Sequence, residues 1–432
     1  MKRLLALCLL LFLSFQLTGC TRPPNDAGTT GAGATTGSTT GGTGTTGGTG
    51  TSGRTPTKGD AAGPDAYAEK AIDGDEVKFG VYLSITGESA TFGQGTQAGM
   101  ELAVDKINQE GGLLGKKIKL IVEDDEGKQD KAAAAGQKLI EQDNVLVVLG
   151  EVISTNSLAV APICQKAHVP MISPSSTNVK VTQVGDFIFR VCFLDDFQGE
   201  VMARYAADNL KAKTAALMVE KSSDYSVGLA ESFQKTFESK GGKIVAEESF
   251  TKADTDFSSV LTKIKGSNPD VIFLPAYYNS VGLVATQARA QGITVPFLGG
   301  DGWESPKLIE LGGKNLEGCA FSTHFNVNAP EGVVADFVKA FRAKTGEDPD
   351  GLSALGYDDV MMVADAIKRA GKFNRYAIRD ALAGTKGFEG VTGTITINAQ
   401  GNPDKPATIM EIKNGKLEYV TKMYPEGAPA AP

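Results

Sequence analysis

Two clusters of hydroxyl side chains stand where a small anion could be held. Ser154 and Thr155 precede a helical stretch at 156–167, and Ser175, Ser176 and Thr177 follow a short apolar run at 169–172. Hydroxyls and backbone N–H groups at a helix start can fix a carboxylate without a full positive charge. The same residues also serve as N-caps and turn formers, so the pattern alone leaves both roles open. Asp301, in Gly299-Gly300-Asp301-Gly302-Trp303, ends another apolar run. It offers an acceptor for an ammonium, or is a turn residue. Tyr225, Tyr277 and Tyr278 fall at loops after apolar runs, and with Phe92 and the lone Trp303 they could form an apolar wall or simply pack. Alternation along the chain sends Tyr277 and Tyr278 to opposite faces.

Other chemistry finds little support. Gly93-Gln94-Gly95-Thr96-Gln97-Ala98-Gly99 misses the dinucleotide fingerprint because its third glycine is one place late. Gly112-Leu113-Leu114-Gly115-Lys116-Lys117 is too short for a phosphate loop and has Lys117 where Ser or Thr is required. The chain has only two histidines, His168 and His324, and neither has a cysteine at zinc-ligand spacing. Glu123-Asp124-Asp125-Glu126 reads as a solvated turn after a strand. No Gly-x-Ser-x-Gly nucleophile turn occurs. These points argue against an enzyme, and no cofactor or metal is expected. The net charge of −8, without basic runs, does not suit nucleic acid.

The elements that must position these residues alternate. Apolar runs at 77–85, 117–122, 145–149 and 169–172 read as strands, with amphipathic helices between them at 94–109, 131–142 and 156–167. Met100, Ala103, Val104 and Ile107 share one helix face. The series restarts with strands at 187–193, 214–219, 243–248, 271–275, 295–298 and 321–326. Three helical stretches follow at 332–344, 352–370 and 375–383, then short strands at 394–397, 407–412 and 417–421. Repeated βα units predict an α/β protein of two doubly wound lobes with mainly parallel sheets.

The N-terminus reads as a processing segment. Lys2 and Arg3 precede an apolar run at 4–17, which is too short to span a bilayer. Leu17-Thr18-Gly19-Cys20 resembles a bacterial lipobox, which implies lipidation of Cys20 and a signal peptide at 1–20. Thr, Gly, Ser and Ala dominate the next forty residues, which carry too little apolar surface to fold. We expect a tether over 21–75. Cys164, Cys192 and Cys319 remain in the body, which permits one disulfide, and Cys164 with Cys192 is the expected pair.

Five segments together resemble the periplasmic binding proteins for leucine, isoleucine and valine. They are Ser84-Ile85-Thr86-Gly87 with Phe92-Gly93-Gln94-Gly95; residues 108–118 (NQEGGLLGKKI); residues 171–178 (MISPSSTN); Phe189-Arg190-Val191 with Asp195, Gln198 and Gly199; and the loop around Asp301. They lie in the family's order over 77–425. The resemblance implies a type I periplasmic-binding (Venus-flytrap) fold, with one lobe from 77–194 plus 323–392 and the other from 195–322 plus 393–425. It implies a cleft in which Ser154, Thr155, Ser175, Ser176 and Thr177 hold a ligand carboxylate. Asp301 would hold the amine, with Phe92, Tyr225, Tyr277 and Trp303 as the wall. The best-known leucine binders carry Glu at the place of Asp301. The implied partners are a small neutral amino acid and the permease subunits of an ATP-driven importer. We expect an exported, lipid-anchored monomer. A sensing module of the same fold, for an amide, a urea-like compound or an aromatic acid, is the alternative.

Overall fold

The computed structural model describes residues 65–328 and 332–425, so Cys20 and most of the expected tether lie outside the described residues. The ordered body starts earlier than the sequence suggests. Asp65 caps a helical turn, α1 (Ala66–Glu69), by accepting from the Tyr67 and Ala68 amides. Ala68 and Ala71 are buried, and β1 (Ile72–Asp73) pairs with the start of β2 (Glu76–Leu83). Residues 65–75, expected in the tether, therefore belong to the folded body, because these few apolar residues already find partners.

In the first sheet β2 is flanked in parallel by β3 (Lys117–Asp124) and β4 (Val148–Leu149). Next come β5 (Met171–Ser173) and β6 (Ile188–Arg190), also parallel. The connections are α2 (Ala90–Gln109), α3 (Gln129–Glu141), α4 (Ser154–Ala167) and the short α5 (Lys180–Gln183). Val145 to Leu149 is wholly buried, as a strand covered on both faces requires, and the Leu146 amide and Val147 carbonyl already bond to β2 ahead of β4 itself.

The second sheet follows α6 (Asp195–Arg204) and a π-helical turn at Tyr205–Asn209. Its elements are β7 (Thr214–Glu220), α7 (Asp224–Ser239), β8 (Lys243–Phe250), α8 (Ser258–Ser267), β9 (Val271–Phe273), α9 (Tyr278–Ala290), β10 (Phe297–Gly299), α10 (Pro306–Gly312) and β11 (Ala320–Thr323). The chain then returns to the first sheet's side with α11 (Gly332–Thr345), α12 (Gly351–Ala370) and α13 (Arg375–Ala383). A hairpin of β12 (Phe388–Gly390) and β13 (Gly393–Ile395) stands apart from both sheets. The expected lobe boundary at 392/393 falls inside this hairpin, whose pairing keeps its two strands together. β14 (Ala407–Lys413) and β15 (Lys416–Met423) add antiparallel strands beside β11.

The helix α12 lies along α2 because both have small residues at their crossing. A Cβ on Gly99 would come within 1.9 Å of the Ser353 carbonyl oxygen, and one on Gly356 within 2.3 Å of that of Thr96. In the first sheet β3 lies to one side of β2 and β4 to the other, and in the second β8 and β9 flank β7 in the same way, so each sheet has a switch point. The crevice opens at the carboxyl ends of the strands there.

The expected Cys164–Cys192 disulfide is absent, and all three described cysteines are free and buried. Cys164 on α4 packs on one face of the first sheet with Val160 and Phe187. Cys192 belongs to the core on the other face, with Phe189 and Val191. The sheet separates the two sulfurs.

Candidate functional site

Loops from the carboxyl ends of strands in both sheets meet at one small cavity. It is lined by Phe92, Val152, Ser175, Thr177 and Leu352 from the first side, and by Tyr225, Tyr277, Asp301 and Gly302 from the second. The space is narrow: ≈ 230 Å³ is not occupied by atoms, and a water-sized sphere barely fits. No lysine or arginine lines it. Larger grooves occur elsewhere, one beside Glu304 and Asp350 and one beside Phe337 and Phe388, but neither gathers the hydroxyl loops with Asp301.

On the first side, Thr177 is buried and its hydroxyl makes no well-formed hydrogen bond. Its carbonyl accepts from the Asp195 amide. Ser175 lies beside it in the wall. Ser154, at the first turn of α4, accepts from the Asn178 amide at 3.3 Å and so braces this loop from behind. Two expected ligands point elsewhere. The Ser176 hydroxyl turns into the lobe, 2.7 Å from Ser157 Oγ and 2.8 Å from the Glu151 carbonyl it donates to. Thr155 sits at the rim, where its hydroxyl accepts from the Asp224 amide at 3.2 Å. Both are placed by their own turn: neighbouring residues on a loop cannot all face one space.

On the second side, Gln198 Nε2 donates to Asp301 Oδ1 at 3.0 Å, and His324 Nε2 lies 2.9 Å from Oδ2. His324 stacks on Phe193 with ring centroids 3.7 Å apart, and burial lowers its pKa against the pull of Asp301. The Gly302 amide donates to the Tyr225 hydroxyl at 3.1 Å. A Cβ on Gly300 would meet Gln198 Oε1 and the Tyr225 hydroxyl at 2.6 Å, so a side chain here would displace the ends of both residues from Asp301 and Gly302. Tyr225 and Tyr277 stack at 5.2 Å, and Phe92 meets Tyr277 edge-on at 5.8 Å. Tyr278 faces away, and its hydroxyl donates to the Glu88 carbonyl at 2.7 Å. Trp303 is not part of the wall. It is fully buried, its indole N–H donates to the Leu274 carbonyl at 3.0 Å, and its ring packs under Gly299. A buried indole needs an acceptor, and that acceptor lies in the core.

Asp195 was not among the expected ligands. It is the first residue of α6, buried, with neither carboxyl oxygen in a well-formed hydrogen bond. Burial, and then Asp301, push its pKa well above the usual carboxylate range, while Thr177 and Arg190 oppose the shift. A buried acid held near another acid is stabilised by any cation placed between them. Leu352 was also missed, although Asp350 and Ser353 form the capping box that sets its helix start. Several hydrogen bonds join the two sides around the cavity. Asn178 Nδ2 donates to the Asp224 carbonyl at 2.7 Å, Thr91 and Ser305 hydroxyls are 3.0 Å apart, and the Gly351 amide donates to Glu304 at 2.7 Å.

The wall offers hydroxyls from one side, the Asp301 carboxyl from the other, and aromatic rings between, with Asp195 beside Thr177 just outside the lining. Among the described residues no cluster of histidine, cysteine and carboxylate suits a metal, and no helix is long and apolar enough to cross a membrane. A family model described as periplasmic binding protein matches residues 76–416. The chain is 30% identical to the Leu/Ile/Val-binding protein homolog 3 of Brucella melitensis over 79% of this chain and 93% of the relative. It is similar to the solved leucine binding protein LivK of Thermotoga maritima, with 38% identity and a TM-score of 0.79 over 82% of this chain and all of that one. A branched-chain amino acid transporter substrate binding protein, LivJ of Streptococcus pneumoniae, solved with isoleucine, shows 37% identity and a TM-score of 0.77 over 81% of this chain and all of that one. With its two parallel sheets meeting at one cleft, the chain belongs to the periplasmic binding protein family, in its branched-chain amino acid group.

Proposed function

We propose that this protein captures a neutral aliphatic amino acid between its two lobes and delivers it, chemically unchanged, to an ATP-driven importer. The observation that carries this reading is that Thr177 from one side and Asp301 from the other line one cavity. A zwitterion needs donors for its carboxylate and acids for its ammonium at opposite ends, and the rings of Phe92, Tyr225 and Tyr277 suit an apolar side chain between them. Ser175, Thr177 and the loop braced by Ser154 take the carboxylate. Asp301 and Asp195 take the ammonium. An amine-free aromatic acid is disfavoured, since the buried Asp301, with Asp195 close by, would face it without compensation.

In this reading residues 65–194 with 325–395 move as one lobe, since β1 pairs with β2 and β11 ends at Thr323, and the remainder of the body moves as the other, with hinge opening to admit the solute. Cys20 carries a lipid that holds the protein outside the cytoplasm, on a tether long enough to reach a permease. A thermal-shift panel followed by calorimetry tests the ligand class. Stabilisation by leucine, isoleucine or valine is expected. If amine-free carboxylates stabilise the protein and no α-amino acid does, the reading fails. Loss of sensing without loss of uptake in a deletion strain would assign the protein to signalling instead. Recovery of an altered ligand from saturated protein would contradict the absence of catalysis.

A further inference from the structure

The cavity has no cation in its wall, yet a fully buried cation sits directly behind the carboxylate-binding loop. Arg190 is the last residue of β6 and is completely shielded from solvent. Among the described residues its guanidinium forms no ion pair: one nitrogen donates to the Ser176 carbonyl, the other to the Asn178 carbonyl at 2.8 Å and to Thr182 Oγ1 at 3.3 Å. Thr182 is itself held by donating to Asn402 at 2.8 Å. Burying a guanidinium without a carboxylate is costly, and a loop could be tied down without a charge.

The geometry of the peptide unit supplies a reason. The Ser176–Thr177 peptide bond is trans, since the one cis bond among the described residues is Gly150–Glu151. In a trans peptide the C=O and the following N–H point in opposite directions. With the Ser176 carbonyl drawn toward Arg190, the Thr177 N–H is turned the other way, and Thr177 lines the cavity. The neighbouring amides are engaged, Ser176 to Ser173 Oγ and Asn178 to Ser154 Oγ. A chain of guanidinium, carbonyl, peptide and N–H polarises in one sense, and each bond strengthens the next.

We propose that Arg190 is a positioning residue that orients and polarises the Ser176–Thr177 peptide, so that the Thr177 N–H delivers part of its positive charge to the ligand carboxylate. This inference rests on the amino-acid reading above. The cavity then recognises an anion without a cation in its wall, while the full charge stays behind the loop, where Arg190 makes no direct ion pair with Asp195 or Asp301. A lysine, whose three donors radiate from one nitrogen on a flexible stem, does not hold two carbonyls in a fixed planar fork.

The test compares L-leucine with L-leucinamide, which keeps the amine and side chain but has no carboxylate. Affinities are measured by calorimetry and by displacement at up to millimolar concentration, for the wild type, Arg190→Lys and Arg190→Met, with melting temperature as the folding control. The expected result is a graded loss for leucine, of about ten-fold in Arg190→Lys and more in Arg190→Met, with leucinamide changed by less than three-fold. The preference for leucine over leucinamide then collapses. Equal losses for both ligands would reduce Arg190 to a structural brace and overturn the proposal, as would unchanged leucine affinity. If Arg190→Met does not fold, Arg190→Lys and Thr182→Val, which loosens the guanidinium, must still lower the leucine preference. Wild-type protein that binds neither ligand, but does bind another class of solute, refutes the amino-acid reading itself and the relay with it.

Discussion

Replacing Asp301 probes the amine end of the cleft. Asp301→Ala removes the acceptor of Gln198 Nε2 and the partner of His324, and takes a carboxylate from the ligand ammonium. Truncating one member of a buried, hydrogen-bonded charge pair costs ~2–5 kcal/mol. At ~1.4 kcal/mol per ten-fold, that range spans about 30- to several-thousand-fold in Kd. The lower part of the range is expected here, because Asp301 is one cause of the raised pKa of Asp195. Without Asp301, Asp195 ionises more readily and takes over part of its role. The losses in Asp301→Ala and Asp195→Asn should therefore be non-additive in the double variant. Calorimetric titration with L-leucine at pH 7 measures each, with Asp301→Asn as the shape-conserving control. A Kd for Asp301→Ala within three-fold of the wild type, in a protein with unchanged melting temperature, would refute the placement of the ammonium. Strict additivity would refute the coupling between the two acids.

The same geometry has consequences for pH. Asp195 is raised when the site is free, and an ammonium favours its carboxylate, so leucine should bind more tightly as pH rises and release protons. Calorimetry in buffers of different ionisation heat would detect this, and zero proton release across pH 5–8 would contradict it. Glu304 is pushed up to about 8 by burial and then by Asp350. A carboxyl raised on folding contributes stability that is full below its ordinary value and is lost as pH rises to about 8. The melting temperature should fall between pH 5 and 9, and Glu304→Gln should flatten that fall. Asp359 is buried on α12 with neither oxygen hydrogen-bonded, and burial raises its pKa well above normal. Asp359→Ala should stabilise the fold at pH 7 by about 1–3 kcal/mol, with the gain shrinking toward pH 4; a destabilised variant would show that the carboxyl has a partner. Burial pushes the Cys192 thiol up to about 12, and Cys164 and Cys319 are also raised. All three thiols should resist a thiol reagent in the native protein and react after unfolding, and fewer than three reacting would point to a disulfide.

The sequence by itself determined the element order. Val145 to Leu149, Val271 to Phe273 and the alternating helices carry enough periodic apolar pattern to specify strands and helices in either half. Hydroxyls, glycines and one Asp collecting after strands marked candidate loops, and only the resemblance to the leucine, isoleucine and valine binders gave those loops a ligand. Tertiary structure decided which side chains of those loops face the cleft. Ser175 and Thr177 line the cavity while Ser176 between them turns to Ser157 and the Glu151 carbonyl, because loop direction depends on what packs behind it. Trp303 and Asp301 are two residues apart on one turn, yet the ring goes to the core and the acid to the cleft. Asp195 and Arg190 were visible as residues but not as neighbours, for their roles exist only once α6 and β6 are brought against the Ser175–Asn178 loop. Local pattern is written in spacing along the chain. Contact across a fold, including the sheet that parts Cys164 from Cys192, is decided by packing, which spacing does not encode.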